Sequence, residues 1–483
     1  MRVTIMKWLL TALVASVGTH TSAATDQSKS TLGIPYAKAP IDELRWAAPE
    51  DLLFDETVKI EGEFGPVCPQ TGTDLEQSED CLFLNVWTSD STASLPVMVW
   101  IHGGGFRAGS GNVPGALLAQ EGVVVVSLNY RLGPMGFFAH PSKNNAIANY
   151  GLLDMVSALR WVKRHIAKFG GDASNVTIFG VSAGGMAVNL LMANTDAEGL
   201  FHRAIAQSSY ATWPLWYTET TWADSVRHWG GRPVLKAEEQ ALALLSRAGL
   251  DGLSVDALQA APAAALVEAQ EGFQIPIVDG TSIPGEPAQQ YAKGRFNTSL
   301  LSYMTGANSF EGSVMPWTGI TDDVFAQWVK PWSDELKNVY PNDASVAMTD
   351  ARRRLFGDLR YLASAQTTLS AVCSQAIQCY AYFNDLPLSP AGGLKGAAHG
   401  SDAQLFWGQF DDKSDDLKQA SALMRAAWAD FAKGDMSDKQ GWPEWTQDSP
   451  FWSALPPESG DQTLTIKTRL RLVEDIYSER WQD

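Results

Sequence analysis

Short apolar runs rich in β-branched residues punctuate the first half of the chain. Val97-Met98-Val99-Trp100-Ile101, residues 123–128 and Val176-Thr177-Ile178-Phe179 each have the length of a strand. Segments of helical or loop character separate them, among them Met155-Val156-Ser157-Ala158-Leu159-Arg160-Trp161-Val162. A further helix is predicted over Met186-Ala187-Val188-Asn189-Leu190-Leu191. Strands alternating with helices predict an α/β fold built on a mostly parallel sheet. Regions 213–270 and 313–365 read as helix-rich insertions and hold Trp213, Trp216, Trp222, Trp229, Trp317, Trp328 and Trp332. Such insertions are expected to cap one face of the sheet. A single tryptophan is more often core than contact, but their crowding predicts an aromatic-lined pocket. No Pro/Ser-rich linker, repeat or long charge run divides the 483 residues, so one domain over 24–483 is expected. The longest polar cluster, Asp411-Asp412-Lys413-Ser414-Asp415-Asp416, is short enough for a solvated loop.

The first 23 residues read differently. Arg2 and Lys7 precede the apolar run Trp8–Val17, and Ser22-Ala23-Ala24 closes the segment with small residues. This is the pattern of a signal peptide, too short to span a bilayer. Its loss removes two positive charges and takes the formal charge from −18 to −20. The expected product is secreted, or periplasmic in a bacterium, with no membrane anchor, and its acidity argues against nucleic-acid partners. Four cysteines in an exported chain predict two disulfides, with three pairings open. No cysteine–histidine spacing suggests a metal site, and no cofactor motif is present.

The candidate chemistry lies where the third apolar run turns sharply into a helix, at Gly180-Val181-Ser182-Ala183-Gly184-Gly185. Gly-x-Ser-x-Gly between a strand and a helix is the setting of a nucleophilic serine. A serine hydroxyl needs a base, and the base needs a group to orient it. In hydrolases with this elbow the chain order is serine, acid, histidine. His20, His102, His140 and His165 precede Ser182, and His202 and His228 follow it too closely for an intervening acid strand. His399, in Ala397-Ala398-His399-Gly400-Ser401-Asp402, remains. The acid is less determined. Glu311 follows the strand-like Ser302-Tyr303-Met304 on a loop bracketed by Gly306 and Gly312, whereas the competitor Asp279 sits in an Asp-Gly turn. The strand Val97–Ile101 runs straight into His102-Gly103-Gly104-Gly105-Phe106, whose glycines suit an oxyanion hole. Gly104 and Gly105, with Ala183 beside the nucleophile, are the expected donors.

Together these pieces resemble the type-B carboxylesterases, which include the cholinesterases, within the α/β-hydrolase fold. The likeness extends from Gly33-Ile34-Pro35-Tyr36-Ala37 and Arg45-Trp46 through Glu79-Asp80-Cys81-Leu82-Phe83-Leu84-Asn85-Val86, Asn129-Tyr130-Arg131 and Asn149-Tyr150-Gly151-Leu152-Leu153-Asp154. It continues through the elbow, Pro276–Gly280, Gly306–Gly312, His399–Asp402, Ala427–Ala432 and Trp442-Pro443. The resemblance implies Ser182, Glu311 and His399 as the triad of a serine esterase working through an acyl-enzyme. It also implies that Cys68 pairs with Cys81 beside the active-site gorge, leaving Cys373 to Cys379. A silent adhesion module of the same fold, and an esterase-like acyltransferase, are the alternatives.

Two departures matter. The small hairpin that usually precedes Gly-Ile-Pro-Tyr in this family has little room here. Val181 stands where cholinesterases carry glutamate, and the loop Pro69–Asp80 has no aromatic residue for a cationic head group. Neutral esters with apolar or aromatic parts are therefore the expected substrates. Asn175-Val176-Thr177 and Asn297-Thr298-Ser299 match the glycosylation pattern; the first runs into the elbow strand, and the second, in a polar loop, is the expected acceptor in a eukaryotic source.

Overall fold

The computed structural model describes residues 28–54, 60, 62–140, 147–218, 236–373, 377–388, 396–408, 415–436, 441–455 and 461–480. The predicted leader, His228, Trp222 and Trp229 lie outside the described residues. Nine strands form one sheet. They are β1 (Lys29–Pro35), β2 (Phe83–Thr88), β3 (Leu95–Ile101), β4 (Val124–Leu128), β5 (Gly171–Val181), β6 (Arg203–Gln207), β7 (Ser302–Asn308), β8 (Gln378–Asn384) and β9 (Ser453–Leu455). Their spatial order is β1-β2-β4-β3-β5-β6-β7-β8-β9. The pairs β1–β2 and β2–β4 are antiparallel, and every other pair is parallel.

The three predicted strands are β3, β4 and β5. The predicted helices are the middles of α1 (Tyr150–His165) and α2 (Ala183–Met192). The Gly-Ile-Pro segment itself forms the edge strand β1, where a kink lets the Gly33 N–H meet Asn85 Oδ1 at 3.0 Å.

β3 shows why its sequence is apolar throughout. Val97, Val99 and Ile101 pack into one core layer with Leu159 and Val162 of α1. Met98 and Trp100 enter the opposite layer with Trp407, Trp428 and Phe431. With both faces covered, there is no solvent side on which a polar residue would be favoured.

Further helices are α3 (Met348–Gly357), α4 (Ala363–Val372), α5 (Ser401–Trp407), α6 (Asp415–Lys433) and α7 (Thr463–Arg480). A single π-helical turn, Asp358–Leu362, joins α3 to α4. Both disulfides form as the resemblance implies, Cys68–Cys81 and Cys373–Cys379. No helix among the described residues is long and apolar enough to cross a membrane.

Two expectations need correction. Asn297 is buried, and its amide donates to the Ala197 carbonyl at 3.4 Å, so it is not an accessible glycan acceptor. Nor do the described cap tryptophans gather in one pocket. Trp328 packs against Phe325 and Trp332 in the core, and Trp317 is exposed.

Candidate active site

The end of β5 delivers Ser182 in a conformation that few non-glycine residues adopt, φ 57° and ψ −117°. Strain of this kind persists only where the surroundings enforce it. Here the Ser182 N–H is held by the Gln207 carbonyl of β6 at 2.9 Å, and α2 begins at the next residue. A Cβ at Gly184 would lie 2.0 Å from the Ile101 carbonyl, so the elbow fits against β3 only with glycine there. The serine side chain thus projects beyond the C-terminal ends of the strands.

His399 reaches this point from the far side of β7. Its Nε2 lies 2.8 Å from Ser182 Oγ, and its Nδ1 makes a short contact with Glu311 Oε2. Because Nδ1 faces a carboxylate, it carries the proton, which leaves Nε2 to accept from the serine hydroxyl. The loops bearing acid and base are fastened to each other. Phe310 N–H donates to the Ala397 carbonyl at 2.8 Å, Ala397 N–H to Ser309 Oγ at 2.9 Å, and His399 N–H to Ser313 Oγ at 2.8 Å. The ring of Tyr361, from the π-helical turn, packs on the imidazole with centroids 4.7 Å apart.

Glu311 is buried, and its second oxygen is fully engaged. Oε1 accepts from Asn308 N–H at 2.6 Å, Asn308 Nδ2 at 3.1 Å and Ser208 Oγ at 2.6 Å. A carboxylate so supplied with donors is held in one orientation. Sequence reading did not single out Ser208 or Asn308, which lie at the ends of β6 and β7. It also gave no role to Asp402, which is fully buried and accepts from Tyr382 Oη at 2.5 Å and Asn308 Nδ2 at 3.1 Å. Burial, and then the charge of Glu311, raise the Asp402 carboxyl above its usual range.

Asp279 is elsewhere and otherwise occupied. Its oxygens accept from the backbone N–H groups of Ala148, Thr281 and Ile283 and from Asn149 and Ser282, so it organises its own turn. His202 lies just before β6, beside the middle of β5, where its Nδ1 accepts from Val176 N–H.

The glycine run passes directly over the elbow. A Cβ at Gly103 would lie 2.7 Å from the Val181 carbonyl and 3.4 Å from Ser182 Cβ. Gly105 faces the ring of Phe273. Ala183 is the first residue of α2, so its N–H has no acceptor within that helix. His102 braces the run: it stacks on Tyr130, with centroids 4.3 Å apart, and its Nδ1–H donates to the Gly103 carbonyl at 2.9 Å. Burial pushes the His102 imidazole down to about 4. The disulfide loop docks on the same rim, where Gln70 exchanges hydrogen bonds with Gly109 N–H and C=O at 2.8 and 2.9 Å.

No group of three or more His, Cys, Asp or Glu among the described residues could hold a metal ion. The assembly can accept a proton from a hydroxyl, hold the resulting positive charge against a buried carboxylate, and present backbone N–H groups nearby.

Comparisons with known proteins converge on one group. The sequence profile of the carboxylesterase family matches residues 17–481. The para-nitrobenzyl esterase of Bacillus subtilis (strain 168) is 32% identical, over 93% of this chain and 93% of its own length. The fumonisin B1 esterase of Sphingopyxis macrogoltabida is 31% identical, over 85% of this chain and 80% of its own. Among solved structures, a para-nitrobenzyl esterase superposes with a TM-score of 0.72 at 31% identity, covering 91% of this chain and 96% of that one. A carboxylesterase of Geobacillus stearothermophilus gives 0.73 at 27% identity, covering 88% and 92%.

Proposed function

The chain belongs to the carboxylesterase family, has the α/β-hydrolase fold and is a carboxylic ester hydrolase, and we propose that Ser182, His399 and Glu311 carry out the hydrolysis. Ser182 Oγ attacks the ester carbonyl carbon as its proton passes to His399 Nε2. Glu311 fixes the imidazole and stabilises the imidazolium that forms. The oxygen that becomes negative is held by the N–H groups of Gly104, Gly105 and Ala183; one such donor is worth roughly 10²–10³ in turnover. His399 then protonates the departing alcohol, leaving an acyl-Ser182. Water, deprotonated by the same histidine, attacks the acyl carbon; His399 returns the proton to Ser182 Oγ and the carboxylic acid leaves.

The observation carrying this reading is the unbroken contact from Ser182 Oγ through His399 to Glu311. The adhesion reading is disfavoured, since such a module has no need of an assembled triad. Labelling with a fluorophosphonate and peptide mapping is the test. The adduct is expected on Ser182, and an active enzyme labelled elsewhere refutes the assignment. Adding an alcohol or amine acceptor during turnover separates hydrolysis from acyl transfer.

We read residues 24–483 as one catalytic unit exported behind a leader over residues 1–23. Two disulfides among the described residues suit an oxidising compartment. Amino-terminal sequencing of the exported protein checks the cleavage point. The expected esters are neutral, with apolar or aromatic parts, and are preferred over choline esters. This is supported by Val181 before the nucleophile and by a Pro69–Asp80 loop without aromatics.

A further inference from the structure

Five arginines among the described residues are less than a tenth exposed: Arg45, Arg131, Arg354, Arg360 and Arg469. Four of them have a carboxylate, namely Glu79, Asp154, Asp343 and Asp358. Arg360 does not. It is 2% exposed, no described carboxylate lies within ion-pair distance, and its Nε–H is buried without a hydrogen-bond partner. Neutral aromatic rings surround it, with Cζ 4.4 Å from the Tyr210 ring, 4.4 Å from Trp213 and 5.6 Å from Tyr361. Ring faces recover part of the desolvation of a cation, but a buried charge without a counter-ion remains costly. That cost is tolerated here in a chain with an excess of acidic residues.

The place of this cation is informative. It sits in the π-helical turn, a form common at functional sites. Its neighbour Tyr361 packs on His399 with centroids 4.7 Å apart. Combining that spacing with the 5.6 Å to Arg360 puts the guanidinium carbon within about 10 Å of the imidazole centre. The Tyr361 and Tyr210 hydroxyls both lie in hydrogen-bonding reach of the guanidinium, and the O–H of Tyr361 is buried without an acceptor. The Nε–H of Arg360 and the O–H of Tyr361 are thus two buried donors without an acceptor on the segment that packs on the base, and an incoming anion would satisfy both.

We propose that Arg360 is a specificity-determining residue that, with Tyr361, pairs with a carboxylate carried by the ester substrate. The preferred substrates are then half-esters of dicarboxylic acids, or esters whose alcohol part bears a carboxylate. This rests on the triad reading above and adds, to the neutral esters, singly anionic ones that the site binds more tightly. An incoming carboxylate gives the guanidinium its missing partner, and charge-assisted pairs of this kind are the strong ones.

The test compares kcat/KM for matched esters with the wild type and Arg360→Met. Monoethyl adipate against ethyl hexanoate probes the acyl side, and 4-acetoxybenzoate against phenyl acetate the alcohol side. In at least one pair the wild type should favour the carboxylate ester. Arg360→Met should remove about 10- to 100-fold of that ratio while changing neutral esters less than threefold. No preference in either pair, or an equal loss for neutral and anionic esters in the variant, overturns the proposal. If thermal melting shows Arg360→Met misfolded, Arg360→Gln is read by the same ratio, and an unchanged ratio is equally fatal. Turnover of the neutral esters and labelling of Ser182 report on the triad independently, so either reading can fail alone.

Discussion

At the scale of single residues, the proposed chemistry rests on one strained serine and two loops that bring a histidine and a carboxylate to it. Ser182→Ala or His399→Ala should lower kcat/KM for a neutral aryl ester by about 10⁴-fold or more, because triad members act as a unit. The yield of folded protein should be close to normal, since neither side chain is a main support of the core. A His399→Ala enzyme retaining a tenth of the rate would return His228 to consideration as base. Glu311→Gln should slow turnover strongly with little change in substrate binding. Asp279→Asn should leave turnover nearly intact and lower Tm, since Asp279 accepts only from its own turn and from Ala148 and Asn149. The opposite pattern transfers the acid role to Asp279. The proposed triad could be picked out in the sequence because strand, elbow and chain order restrict the serine and histidine to very few choices, and the family resemblance favours Glu311 as the acid. Ser208, Asn308, Asp402 and Arg360 could not, because their roles exist only once β6, β7 and the π-helical turn lie side by side. Nothing in the local sequence of Leu359-Arg360-Tyr361 distinguishes an unpaired cation from a solvated one.

At the scale of elements, the acid loop is held from behind by helices remote in sequence. The Ser309 carbonyl accepts from both Arg354 of α3 and Arg469 of α7. Each guanidinium is anchored in turn, Arg354 on Asp343 and Arg469 on Asp358. The last helix of the chain therefore fixes the loop that presents Glu311. Arg469→Ala leaves Asp358 buried without its partner and should cost about 3–5 kcal/mol, read as a fall in the denaturant midpoint. Arg469→Met combined with Asp358→Leu should lose less than the single change, and a larger loss would mean the pair itself carries the stability. The apolar runs predicted β3–β5 well, since full burial on both faces leaves no polar position to confuse the period. The cap was harder. A run of tryptophans looks the same whether it faces a pocket or, like Trp328 and Trp332, the core.

At the scale of the whole molecule, acid should loosen the fold partly through His102. Its folded-state value of about 4 lies below the ordinary 6.5. The unfolded chain therefore binds the proton first, and stability present above pH 6.5 is lost as pH falls toward 4. The slope from one such group is at most about 1.4 kcal/mol per pH unit. Asp402, raised above its usual value, works in the opposite sense, losing its contribution as pH rises through its folded value. The histidine is therefore best isolated by difference. Over pH 6.5 to 4 the wild type should lose Tm more steeply than His102→Gln, and parallel curves would show that the ring does not titrate this way.

The same scale decides what the acidic surface does for substrates. A formal charge of −18 draws cations toward the molecule from a distance, which raises encounter rates but builds no pocket. Recognition of a quaternary ammonium needs an aromatic face with negative charge nearby. Here Val181 precedes the nucleophile, the Pro69–Asp80 loop carries no aromatic, and the aromatic rings behind His399 already enclose the cation of Arg360. A second cation brought there meets repulsion. Long-range attraction is screened over about 8–10 Å at physiological salt, whereas repulsion inside a buried site is screened much less. Naphthyl acetate should thus exceed acetylthiocholine in kcat/KM at 0.15 M salt, and raising the salt should widen the gap by weakening only the attraction. Arg360→Met should narrow it. If acetylthiocholine is the better substrate of the wild type, the site holds a cation-binding face that these residues do not supply, and the argument against choline esters fails.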